Sequence, residues 1–178
     1  MKLKKFIWIN TFSIFVISFL AHFLYEWFPN SLFALFFPVN ESVWEHMKML
    51  YSCIMIYGIM EYFIYKKLRY PINNFLLSLF LRGYLSIPIY LIIYLPLDKI
   101  FGHHMIIAIS VLFISILLSE IISYFVKQKE NSSILNLLSI FFIIIGFIIF
   151  GYLTYHPVKS DLFYDDHHHK YGINIYTK

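Results

Sequence analysis

Five long apolar runs alternate with short polar breaks along the chain, at about Phe6–Phe28, Val43–Tyr65, Asn74–Leu97, Met105–Val126 and Ile134–Tyr155. Each is close to the roughly 20 residues that a helix needs to cross a bilayer core of about 30 Å. The pattern predicts an all-α bundle of five transmembrane helices spanning residues 1–155, followed by a tail at 156–178. Within the 29–42 loop, Ser31–Phe37 is apolar but far too short to cross. Pro29 and Pro38 bracket it, so it is expected to lie at the interface or to re-enter the membrane, where its backbone groups must find partners. Lys2, Lys4 and Lys5 give the first run a basic start, as in a signal peptide. The run is nevertheless too long, and Tyr25-Glu26-Trp27 is no small-residue cleavage site, so it is expected to stay as a membrane helix.

Composition agrees with this plan. Of the 178 residues 60% are hydrophobic and 13% charged, against about 25% charged in a soluble domain, which excludes a soluble globule and a disordered chain. The single cysteine, Cys53, excludes a disulfide scaffold. A net charge of +4 does not point to nucleic acid, because the basic residues gather at span ends. Lys2, Lys4 and Lys5 precede the first span, Lys66, Lys67 and Arg69 follow the second, and Lys127 and Lys129 follow the fourth. Five spans put all three clusters on one side. The positive-inside rule then predicts the amino terminus inside and the carboxyl terminus outside.

The remaining polar residues sort by side. All eight histidines (His22, His46, His103, His104, His156, His167, His168 and His169) are expected at or beyond the outer face, with seven of the ten acids. Ser18, His22 and Glu26 are spaced i, i+4, i+8 and would form one stripe climbing the first helix. A histidine and a carboxylate at that spacing suit a metal ligand pair or a proton relay, and equally a local hydrogen bond. At the start of the second helix, Ser42-x-x-Glu45 reads as a capping box, which leaves His46 and Lys48 unexplained. From one straight helix a single ion cannot easily take both Glu45 and His46, which diverge by about 100°. The tail carries Asp165 and apolar handles for folding back over the outer mouth. In the inner half, Arg82 and Glu120 come to similar depths, about 12 and 9 Å from the boundary at 1.5 Å per residue; they are expected to form a structural pair, with Glu61 competing.

The segment Pro38-Val39-Asn40-Glu41-Ser42-Val43-Trp44-Glu45-His46-Met47-Lys48 resembles the hallmark of a family of small bacterial polytopic membrane proteins, a family defined by a domain of unknown function. The likeness extends to His22-Phe23-Leu24-Tyr25-Glu26-Trp27 and to a tail with Pro157, Leu162, Phe163, Asp165 and Tyr171-Gly172. The resemblance implies a bacterial cell membrane and leaves the activity open, and it favours His22, Glu26, Glu41, Glu45 and His46 over other candidates. Three functions stay open. His22, Glu26, Glu41 and His46, with Asp165, bind a divalent metal such as zinc, or with Glu45 form an acid/base set, acting on an envelope or lipid-like substrate. Alternatively, the cluster is structural and the protein is an accessory subunit that binds a protein partner or a second copy of itself, or the chain is a small ion or metal transporter. The lipid bilayer is an expected partner and nucleic acid is not.

Overall fold

The computed structural model describes residues 2–173; Met1 and residues 174–178, the end of the tail, lie outside the described residues. The chain forms α1 (Lys2–Ala21), α2 (Leu24–Trp27), α3 (Ser31–Phe36), α4 (Val43–Lys67), α5 (Phe75–Phe101), α6 (Met105–Lys127) and α7 (Ser133–Tyr155). A single 3-10 turn, Asp161–Phe163, then leads into a small hairpin of β1 (Tyr164–Asp165) and β2 (Lys170–Tyr171). Five helices are long and apolar enough to cross a membrane: Lys4–Trp27, Val43–Lys67, Phe75–Phe101, Met105–Lys127 and Ser133–Tyr155. The outward faces of these helices carry exposed Phe12, Ile92, Ile106, Leu137 and Ile148. Such a surface is stable only in lipid, so this is a multi-pass membrane protein.

Helix ends follow local chemistry. Asn30, Ser42 and Ser132 cap α3, α4 and α7 by accepting the amides of Phe33, Glu45 and Leu135. Lys66 and Lys67 occupy the last turn of α4, where the helix dipole favours cations. The first membrane segment is broken at His22–Phe23: the amide of Phe23 bonds the carbonyl of Leu20, a tighter turn that separates α1 from α2. No glycine or proline marks that break.

The helix at the centre is α4. Its most apolar stretch is 67% buried, against 22% for α7, and it supplies Leu50, Tyr51 and Ile54 to a core completed by Ile14 and Ile116. Glycines let other helices close on it: a methyl group at Gly83 would collide with Met55, and one at Gly146 with the Tyr51 hydroxyl.

A buried charge cluster fastens the end of the bundle where α4 finishes. Arg82 forks to Glu61, at 2.8 Å, and to Glu120. Lys127 also pairs with Glu61. Asn10 donates to both carboxylates, at 2.8 Å each, and accepts from the Tyr57 hydroxyl at 2.7 Å. The expected Arg82–Glu120 pair is thus one edge of a neutral set of two acids and two bases. Lys127, one of the two basic residues expected to follow the fourth span, is buried here, so that end presents one charge fewer than its composition promises.

At the opposite end the tail folds back onto the helices. Phe163 is buried and stacks on Trp44 with ring centres 4.5 Å apart. Asp165 turns the hairpin by accepting the amides of His167 and His168. Gly172 has φ +55° and sits so close to the Thr154 carbonyl that a side chain would collide with it. These anchors are residues of the tail pattern noted above. Phe163→Ala removes the stacked ring and leaves an apolar hole; it should release the hairpin, read as faster proteolysis after Lys159 and Lys170 with the helices still protected. Unchanged cleavage would show that the hairpin is held without this contact.

Candidate metal centre

Three side chains from three separate pieces of backbone converge beneath the hairpin. His22 sits at the break after α1, Glu41 in the linker before α4, and His46 in the first turn of α4. His22 Nε2 and His46 Nε2 are 3.2 Å apart, and Glu41 Oε2 lies 3.4 Å from the first and 3.6 Å from the second. An ion bonded at about 2.0–2.1 Å to the corners of a tetrahedron holds those corners about 3.3 Å apart. The triangle already has that size. Among the described residues, these three form the one group of this kind that can hold a metal ion.

Neighbouring groups orient the ligand atoms. His46 Nδ1 lies 2.9 Å from the Ser42 carbonyl, which can only accept, so the proton belongs on Nδ1 and the Nε2 lone pair faces the triangle. The amide of Glu41 donates to Asp165 Oδ2 at 3.1 Å, which fixes the linker to the hairpin. The hydrogen bond from His22 holds the Glu41 carboxyl below its ordinary range, against the opposing effect of burial. Burial likewise opposes ionisation of Asp165, but the Glu41 amide and His168 outweigh it and its carboxyl also lies low. Both carboxylates therefore stay ionised near neutral pH.

The other expected residues stand elsewhere. Glu26 is exposed on α2, because the break after Ala21 ends the stripe that would have carried it to His22. Ser18, one turn below His22, is fully buried and its hydroxyl meets no protein partner. Glu45 points away from His46: its carboxylate takes Lys48 at 2.5 Å, the Val39 amide at 3.1 Å and the Thr154 hydroxyl at 2.9 Å. Ser42 caps the helix as expected, but the reciprocal arm of the capping box goes to Val39, while the Ser42 amide donates to Asn40. Asp165 has both oxygens engaged by backbone amides and His168, so it supports the linker from behind.

The triangle opens on a cavity of about 430 Å³ whose walls come from α1, α4, α5, α6 and the hairpin. Across it stands a second polar group. His103 bridges Asp98, at 2.7 Å, and Asp166, at 2.9 Å, and Tyr94 donates to Asp98 at 3.0 Å. The sequence marked His103 only as an interfacial residue; its partner Asp166 arrives from the tail, and no spacing could announce it.

No curated protein and no solved structure matches the chain. One family model does, and it runs from the first helix through the hairpin that pins Glu41 in place. The chain belongs to this family of unknown function, DUF6512, whose model matches residues 1–173.

Proposed function

We propose that the protein is a membrane metalloprotein of the bacterial cell envelope, in which His22, Glu41 and His46 bind one divalent ion such as zinc. The observation that carries this reading is the 3.2–3.6 Å triangle of ligand atoms opening on a cavity. Three protein ligands leave a fourth position for water, the arrangement of catalytic rather than structural zinc sites. An ion held by His22, Glu41 and His46 would supply an activated water near neutral pH and a Lewis acid for a carbonyl or phosphoryl oxygen. The chemistry is accordingly hydrolytic, on an envelope or lipid-like substrate held in the cavity. The accessory and transport readings have no observation of comparable weight.

The basic residues at the ends of α1 and α4 support an amino terminus inside, with the proposed metal site, at the opposite end of those helices, on the outer side.

Elemental analysis of protein purified in mild detergent tests the proposal. The wild type should carry about one zinc-class ion per chain. His22→Ala, Glu41→Ala and His46→Ala should each lose it while eluting as monodisperse protein, and Glu26→Gln should keep it. Wild-type protein that stays metal-free after zinc is supplied and the excess removed would overturn the site.

A further inference from the structure

The walls of the cavity are unequal. Its ionisable groups gather on the hairpin side, with His22, Glu41, His46, His103 and Asp166, and below them α1 contributes Phe15, Ser18 and Phe19 and α6 contributes Ala108, Ile109 and Leu112. Deeper in the membrane segment α1 and α6 are shut against each other, where Phe15 meets Phe113 edge-on at 5.3 Å. Toward the hairpin the cavity lies between side chains of the two helices. Phe19 is 56% exposed and Met105 75% exposed, yet both line the cavity. The cavity is therefore not sealed along the edge that Phe19 of α1 and Met105 of α6 form.

We infer that this cavity takes a single-chain amphiphile from the bilayer through the gap between α1 and α6, with its acyl chain along Phe15, Phe19, Ala108 and Leu112 and its headgroup among the histidines. A volume of about 430 Å³ is at the low end of the roughly 300–1,000 Å³ of ligand pockets, which suits one chain rather than the two of a bilayer-forming lipid. An apolar chain entering from lipid gains little from burial alone, so discrimination falls to shape and to the polar end. Those polar groups sit where a headgroup must be, level with the membrane interface, while the chain keeps the depth it has in the bilayer. The position of the headgroup rests on the metal site proposed above; that of the chain does not.

The test uses the full chain in lipid nanodiscs with a palmitoyl lysophosphatidylcholine carrying a diazirine in its chain. After illumination, cross-links should concentrate on peptides covering residues 15–23 and 105–112, saturate with probe, and be displaced by unlabelled lysophosphatidylcholine but not by the two-chain phosphatidylcholine. Ala108→Trp fills the gap and should cut this saturable labelling about tenfold while leaving metal content unchanged. Should that variant misfold, Ile109→Trp on the same wall takes its place. Labelling spread evenly over the lipid-facing helices, or displaced equally by the two-chain lipid, would overturn the inference. Metal content in the same samples separates the two ideas: a metal-bound protein with diffuse labelling refutes the chain site alone, and a metal-free protein with saturable labelling refutes the metal site alone.

Discussion

Arg82→Met should leave little or no folded protein, because it removes the guanidinium that forks to both buried carboxylates of the membrane interior. Arg82 is fully buried, and Glu61 and Glu120 are each 1% exposed. With Arg82 gone, Lys127 alone must balance two acids, and it lies 3.9 Å from Glu120. Removing one partner of a buried ion pair typically costs about 3–5 kcal/mol, since the other charge stays behind without solvation. Total stabilities are only about 5–15 kcal/mol, so this single change consumes a large share. Arg82→Lys should fail in part, because one ammonium cannot reproduce the fork that reaches Glu61 and Glu120 at once. The neutral arrangement returns in the double variant Arg82→Met/Glu120→Gln, which keeps the Glu61–Lys127 pair, and its yield and thermal midpoint in detergent should recover toward wild type. If the double variant is no better than the single one, charge balance is not what the cluster supplies.

How much of this was legible beforehand depends on whether an interaction is set along one helix or between helices. The spans were legible because crossing a bilayer imposes a length and an apolar content that the chain must display; the five membrane-capable helices fall where the apolar runs are. The cap at Ser42 was legible for the same local reason. Partners across helices were not, because periodicity gives the face of a residue but not the rotation of the helix in the bundle. Glu45 and His46 are neighbours on one helix about 100° apart, and the rotation of that helix decides which of them meets His22. The structure turns His46 toward His22 and sends Glu45 to Thr154. Glu41 lies in a linker, where no periodicity applies, and is placed by a tail residue, Asp165, 124 positions away. The break after Ala21, which removes Glu26 from the stripe, has no breaker residue to announce it.

Lys48→Met should be the other severe change, although it lies outside the proposed metal site. The ammonium of Lys48 is fully buried and all three of its protons are used: on Glu45, on the Ala34 carbonyl at 2.7 Å and on the Thr154 hydroxyl at 2.8 Å. Through it α3, α4 and α7 share one joint, two residues from His46. Methionine nearly matches the volume of the lysine stem but strands the Glu45 carboxylate, which keeps only the Val39 amide and the Thr154 hydroxyl. The loss should again be about 3–5 kcal/mol, read as a large fall in thermal midpoint. Adding Glu45→Gln removes the stranded charge while retaining an acceptor for Val39, so the double variant Lys48→Met/Glu45→Gln should regain most of the stability and bind metal as the wild type does. A double variant that folds but has lost its metal would show that Glu45 and Lys48 belong to the metal centre, and that the division drawn between a structural joint and a ligand triangle is misplaced. The expected retention follows from geometry: Glu45 turns its oxygens toward α7, and the three ligand atoms keep their supports in the Ser42 carbonyl and Asp165.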